Sequence, residues 1–237
     1  MSEHRAKPSV SVFPVLAVAV VLATLPLIFL YAPTETNQRE IQRIFYIHVP
    51  SAWIMFLAFI VVAAASVMVL AKRNDYARWD RIAISAAEVG VVFSVIMLVT
   101  GPIWASKAWG VWWVWDARLT SSLVLFLIYV AYLLFRSLSV PGERRARLSA
   151  VIGIVGAIDI PVVHFAVVWW RTQHPEPTVL SPAGPQLPDE MLLTLLASFL
   201  AFNVLFVALL VLRMRIEAAR DRVGSALGAR GLGAARV

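Results

Sequence analysis

The chain has 237 residues, of which 60% are hydrophobic and 15% are charged. This apolar share exceeds that of soluble domains and predicts an integral membrane protein. The net charge of +7 does not indicate nucleic-acid binding, because the basic residues are dispersed over segments between apolar runs, where anionic lipid accounts for them. The absence of cysteine excludes disulfides, thiolate metal sites and thioether attachment of a cofactor.

Six apolar runs are long enough to cross a hydrocarbon core of roughly 30 Å, which takes about 20 helical residues. We predict spans at residues 12–31, 44–70, 82–103, 120–138, 149–170 and 190–212. The first span is expected to be retained, since the residues around Ala32 make a poor signal-peptide cleavage site. The runs lack the alternation of barrel strands, so the predicted fold is an all-α six-helix transmembrane bundle. Residues 1–215 form its single domain, and residues 216–237 are predicted to be a mobile cytoplasmic tail.

The distribution of Lys and Arg predicts the orientation. Of the 21 basic residues, 16 lie in segments on the same side as both termini. The other side holds only Arg39, Arg43, Lys107, Arg118 and Arg171. Both termini are therefore predicted to be cytoplasmic, and the loop between spans three and four faces outside.

Tryptophan is concentrated on the predicted outer side, where eight of the nine residues lie, leaving Trp79 alone on the inner side. An aromatic belt would place tryptophan at both interfaces. Residues 104–119, here called the Trp loop, contain all but the last residue of the stretch WGVWWVWDARLT at 109–120. Trp109, Trp112, Trp113 and Asp116 share a face at helical spacing, so the loop is predicted to lie flat in the interface. Such an apolar shelf implies a partner or a large planar ligand that covers it.

Two of the four histidines lie inside predicted spans, where an unpaired polar group is costly. His48, in FYIHVP, and His164, in IPVVH, are predicted at similar depth beneath the Trp loop. Each could instead satisfy a backbone carbonyl or a neighbouring hydroxyl in the bundle, as a lone buried histidine usually does. His4 and His174 are interpreted as solvated residues.

Paired imidazoles ligate zinc, copper or haem iron. A zinc site usually needs three protein ligands, and no third ligand is evident beside this pair. Two axial histidines with an aromatic platform suit a haem, whose macrocycle supplies the other four iron ligands. Without cysteine, the haem would be bound non-covalently.

Charged residues close the Trp loop. Asp116 has a structural interpretation as a helix start, with Thr120 and Ser121 offering a cap. Three basic residues flank the loop, and their cations are suited to haem propionates: Lys107, Arg118 and Arg171. Glu88 and Asp159 lie within spans and are given no part in the site.

Three stretches together resemble the haem-handling C subunit of the cytochrome c maturation system, the CcmC family of tryptophan-rich haem proteins. They are FYIHVPSAW at 45–53, WGVWWVWDARLT at 109–120 and IPVVHFAVVWWRTQH at 160–174. The resemblance covers roughly residues 40–175. Larger relatives continue the motif after its aspartate with Pro, Lys and Glu, whereas this chain reads DARLTSSL. One departure from the family pattern is Gln173, which precedes His174 in place of an apolar residue.

The resemblance implies that the protein binds haem b non-covalently at the periplasmic face of a bacterial inner membrane. His48 and His164 are the implied axial ligands of the iron. The other implied binding residues are Trp109, Gly110, Trp112, Trp113, Trp115 and Asp116, with Arg118 added for the propionates. The expected partners are a membrane-anchored haem chaperone, a small single-span D subunit and the ABC transporter subunits of the same pathway.

Three functions are distinguished. The first is a haem-presentation component of a delivery complex, which itself forms no bond. The second is a transporter that moves haem through its own bundle, which would need a polar path on the inner half that the sequence lacks. The third, a ligating enzyme, would need acid, base or nucleophilic groups, and Asp116 is the one carboxylate in the motif. The sequence favours the first.

Overall fold

The computed structural model describes residues 12–170, 172, 174 and 184–229, which form helices without a β-strand. Seven α-helices follow one another in this part of the chain: α1 (Val12–Leu22), α2 (Phe45–Ala71), α3 (Tyr76–Ala108), α4 (Ala117–Leu138), α5 (Glu143–Ala157), α6 (Asp159–Trp169) and α7 (Asp189–Ala229). A π-helical turn at Leu27–Tyr31 follows α1, and 3-10 turns at Glu40–Ile44 and Arg73–Asp75 precede α2 and α3.

Six helical segments of the described chain are long and apolar enough to cross a membrane. They are Val12–Tyr31, Glu40–Ala71, Arg73–Ala108, Ala117–Leu138, Glu143–Trp169 and Asp189–Leu227. These segments match the six predicted spans in order, so the prediction of an all-α six-span membrane bundle is confirmed. Several helices extend beyond the predicted spans. Polar end turns, such as the one that contains Arg78 and Arg81, lower the local hydropathy and so fall outside a predicted span, but they do not oppose helix formation.

The fifth span is not one helix, because α5 ends at Ala157 and α6 begins at Asp159. Pro161 accounts for the break, since it has no N–H to donate to the carbonyl of Ala157 four residues earlier. His164 lies on α6, just after this break.

Helix α7 continues through Ala229, so residues 216–229 of the predicted tail are helical. Residues 230–237 lie outside the described chain, and the domain boundary at 215 remains a prediction.

Helix α2 lies at the centre of the bundle and packs against α3, α5 and α7. Its Phe59 stacks on Tyr129 of α4 with the ring centroids 3.6 Å apart. The Tyr129 hydroxyl donates to the carbonyl of Gly153 on α5 at 3.0 Å. A Cβ added at Gly153 would lie 2.8 Å from Ser66 Oγ, so glycine allows α5 to approach α2 closely.

Ion pairs join the helices at the end of the bundle opposite the Trp loop. Arg136 of α4, only 4% exposed, donates two hydrogen bonds to the Asp80 carboxylate of α3, at 2.5 and 2.7 Å. Glu88 pairs with Arg213 of α7. Because these pairs fix α3 against α4 and α7, the bundle is braced at the end far from the cavity described next.

Candidate functional site

The Trp loop begins and ends in helix but is irregular in between. Helix α3 runs to Ala108, and Gly110 follows with φ +75°, a left-handed conformation that glycine adopts without strain. Residues 111–116 are not helical, so the predicted helical face of Trp109, Trp112, Trp113 and Asp116 is wrong. The chain bends at Gly110, and the indoles downstream point in different directions.

Asp116 is the N-cap of α4, and its Oδ1 accepts a hydrogen bond from the backbone N–H of Leu119 at 2.8 Å. The helix therefore starts earlier than a cap by Thr120 and Ser121 would place it. Ser121 instead donates to the carbonyl of Ala117 within the first turn. Asp116 thereby fixes where the Trp loop rejoins the bundle, as the structural interpretation expected.

A cavity of about 540 Å³ lies beneath the Trp loop, between α2, α3, α4, α6 and α7. Its wall is mostly apolar and aromatic, with Phe45, Phe56 and Trp104 among its members. Six predicted site residues line it: His48, Trp109, Trp112, Trp113, Arg118 and His164. Gly110, Trp115 and Asp116 lie outside the wall and shape the loop above it.

His48 lies on α2 and is only 8% exposed. Its Nδ1 is 3.0 Å from the hydroxyl of Thr100 on α3, and its ring meets the edge of Trp104 at 5.8 Å between centroids. The imidazole is thus buried, hydrogen-bonded on one side and part of the cavity wall.

His164 is placed differently from His48, although both line the cavity. Its side chain is exposed, and its ring makes an edge contact with the adjacent Phe165 at 4.9 Å. No described residue forms a hydrogen bond with it. The structure brings both predicted histidines to one cavity but buries only His48.

The structure also brings His174 to the cavity wall, so its interpretation as a solvated residue is wrong. Its ring lies 6.1 Å from that of Trp109, and its buried Nδ1 has no hydrogen-bond partner among the described residues. Burial lowers the pKa of His174 to about 4, the positive charge of Arg118 acts in the same direction, and Asp116 opposes both. The imidazole is therefore neutral at neutral pH.

The signal that pointed to His174 was its place at the end of the segment WWRTQH, four residues after the second of two adjacent tryptophans. Sequence reasoning discounted it because Gln173 and Pro175 suggested a polar loop. Burial of this histidine depends on the Trp loop folding over it, which is a tertiary contact that local polarity does not report.

The indoles form an inner and an outer group. Trp104 and Trp109 stack with their ring centroids 6.1 Å apart, and Trp104 Nε1 donates to Gln38 Oε1 at 2.6 Å. Trp113 has a buried Nε1 without a partner. Trp112 and Trp115 are 64% and 74% exposed and present indole faces outside the bundle. Trp104, Trp109 and Trp113 thus belong to the cavity wall, Trp112 both lines the cavity and is largely exposed, and Trp115 lies outside the wall.

Of the three predicted cations, Arg118 lines the cavity, whereas Lys107 is exposed and lies outside the wall. Arg171 lies outside the described residues. Among the described residues, no three His, Asp or Glu side chains converge on a metal-binding point.

The chain was compared with known proteins. The family model for heme exporter protein C, CcmC, matches residues 3–227. A heme exporter protein C of Bradyrhizobium diazoefficiens is 41% identical over 195 residues, 82% of this chain and 73% of the relative. A putative cytochrome c biosynthesis ccmC-like mitochondrial protein of Arabidopsis thaliana is 39% identical over 185 residues, 78% and 69% of the two chains.

The heme exporter protein C of Escherichia coli is 34% identical over 189 residues, 79% of this chain and 74% of the relative. The family match spans all six membrane-crossing segments and the cavity between them. This chain therefore belongs to the heme exporter protein C family.

Proposed function

We propose that the protein binds haem b non-covalently in the cavity beneath the Trp loop and presents it to a membrane-anchored haem chaperone. Membership of the heme exporter protein C family gives it a role in haem delivery for cytochrome c maturation. The observation that carries the finer proposal is the convergence of imidazoles, indoles and a guanidinium on one cavity.

The chemistry of the wall fits haem. A volume of about 540 Å³ is in the range of pockets that hold a cofactor-sized ligand. Buried His174 Nδ1 and Trp113 Nε1 have no hydrogen-bond partner within the described part of the chain, and a bound ligand can satisfy such polar groups. Neutral imidazole nitrogens ligate haem iron, and indole faces pack against a planar macrocycle.

His48 is proposed as one axial ligand of the iron. For the second, the sequence interpretation names His164, and the geometry favours His174. His174 is partly buried, neutral and packed against Trp109, whereas His164 is exposed. Both remain distinct outcomes of the experiment below.

Arg118 is proposed to contact a propionate, because it is the basic residue that lines the cavity in the described part of the chain. Asp116 acts indirectly, since its carboxylate caps α4 one turn before that wall. Gly110 and Trp115 shape and extend the loop, and the exposed faces of Trp112 and Trp115 offer a surface to the chaperone.

The cavity is proposed to face the periplasm, with both termini in the cytoplasm and the protein in a bacterial inner membrane. The excess of Lys and Arg at the opposite end supports this orientation. The proposed partners are the haem chaperone, a small single-span D subunit and the ABC transporter subunits of the pathway.

Presentation is favoured over transport of haem through the bundle, because the cavity wall does not extend to the buried Asp80 and Arg136 pair at the other end. A separate bond-forming activity is not proposed. The site supplies ligands, a platform and a cation, and the covalent chemistry is assigned to the chaperone.

The test is the visible spectrum of the detergent-purified protein loaded with haem, compared with His48→Ala, His164→Ala and His174→Ala. We expect His48→Ala and His174→Ala each to weaken haem retention and added imidazole to restore the bis-histidine spectrum. If His164→Ala loses haem and His174→Ala retains it, the axial ligands are His48 and His164, the pair named from the sequence. Unchanged spectra in all three variants would overturn the haem-ligand proposal.

A further inference from the structure

We propose that Thr100 and Gly101 of α3 form a seat that orients the imidazole of His48 and fixes its tautomer. In this arrangement Nδ1 carries the hydrogen and Nε2 carries the lone pair. Both are positioning residues, and their relevance to haem rests on the function proposed above.

The two contacts of the Thr100 hydroxyl point to this tautomer. Its Oγ1 lies 2.7 Å from the carbonyl of Ile96 one turn earlier and 3.0 Å from His48 Nδ1. A hydroxyl has a single hydrogen to donate, and we assign it to the shorter contact, so that the oxygen accepts from His48 Nδ1. On this assignment Nδ1 carries the hydrogen and the lone pair is on Nε2.

The absence of a side chain at position 101 makes room for this arrangement. A Cβ added to Gly101 would lie 3.1 Å from His48 Cε1 and 3.7 Å from Nδ1. Glycine inside a helix is otherwise unfavourable relative to alanine, and Gly101 lies well within α3. Its presence is explained by the close approach of the imidazole ring.

Trp104 closes the seat one turn further along α3. Its ring edge meets His48 at 5.8 Å between centroids, and its own Nε1 is held by Gln38. The imidazole is thus confined by Thr100, Gly101 and Trp104, all on one helix. A rotation of the ring would break its hydrogen bond or collide with its neighbours.

The consequence is that the His48 imidazole has the orientation and tautomer of an iron ligand before haem binds. Histidines that bind metals nearly always donate their other ring N–H to an acceptor, which sets the tautomer and raises the basicity of the ligating nitrogen. Removing such a partner typically weakens metal affinity about 10- to 100-fold. Thr100 meets this description for His48.

The first test uses haem-free protein and so does not depend on the proposed function. The histidine ring nitrogens are labelled with ¹⁵N, and the His48 signal is assigned by its disappearance in His48→Gln. We expect a single tautomer with Nδ1–H in the wild type and in Thr100→Ser, and a mixture in Thr100→Val. The matched control is Thr194→Val, because buried Thr194 makes the same one-turn hydrogen bond, to Glu190, away from the cavity.

A wild-type Nε2–H tautomer, or a tautomer unchanged in Thr100→Val, would overturn the inference. So would an equal change in Thr194→Val, because the effect would then be a general loss of helix packing.

The second test measures haem affinity in the same variants. Thr100→Val is expected to weaken haem binding about 10- to 100-fold, with recovery in Thr100→Ser. Gly101→Ala is expected to weaken it as well, by displacing the ring. If His48→Ala binds haem as tightly as the wild type, the proposed ligand role fails while the tautomer result stands. If His48→Ala weakens binding and Thr100→Val does not, the seat is refuted and the ligand role survives.

Discussion

Lowering the pH should destabilise the Trp-loop end of the protein through His174. Its pKa is about 4 in the folded state against 6.5 for the free imidazole, because burial and Arg118 disfavour the charged form. The neutral form is therefore the one that the fold accommodates. The contribution of neutral His174 to the free energy of unfolding is fully present above pH 6.5 and is lost as the pH falls from 6.5 towards 4. A difference of about 2.5 between the two values corresponds to about 3 kcal/mol at most.

The assay is denaturant unfolding of haem-free protein in detergent between pH 7.5 and pH 4, roughly the window those two values define, for the wild type and His174→Gln. Because glutamine cannot be protonated in this range, the variant should lack the loss that the wild type shows. Ring NMR of His174 gives the folded-state pKa directly. An ordinary value near 6.5, or the same pH dependence in both proteins, would refute the burial of a neutral imidazole.

Three further substitutions test the turn at Gly110, the cavity wall at Trp113 and the ion pair of Arg136. Gly110→Ala should cost about 1–2 kcal/mol of unfolding free energy, because φ is +75°, whereas Gly224→Ala in α7 should be neutral or stabilising. Trp113→Phe should weaken haem retention measured by spectral titration, and Trp115→Phe, outside the cavity wall, should not. Arg136→Met should cost about 2–3 kcal/mol by removing the two charge-assisted hydrogen bonds of the half-buried Asp80 carboxylate, and equal thermal stability of variant and wild type would contradict this.

The six spans could be predicted from the sequence because a bilayer imposes a length and a composition on every crossing segment. The ends of the helices could not, since charged turns such as that of Arg78 continue a helix beyond the apolar run. The break after Ala157 had a visible cause in Pro161, but proline is common enough in membrane helices to give a weak signal.

The candidate site was predicted in its composition more than in its arrangement. His48, Trp109, Trp113 and Arg118 were singled out, and they line one cavity. The helical face across the Trp loop was wrong, because residue spacing says nothing about a chain that leaves the helix at Gly110. His174 was missed because its burial comes from Trp109, and contacts of that range have no local signature.

A protein that binds haem and then releases it to a partner needs a rigid part that orients the haem and an accessible part through which the haem leaves. The cavity meets both requirements with different parts of the chain. His48 is seated on α2 and α3, which pack along the braced core of the bundle. The indoles of Trp112 and Trp113 come from the segment that connects α3 and α4, and such segments open at lower cost than packed helices do. On the proposed function, release should therefore begin on the side of the loops, while His48 keeps its geometry until the ligand has left.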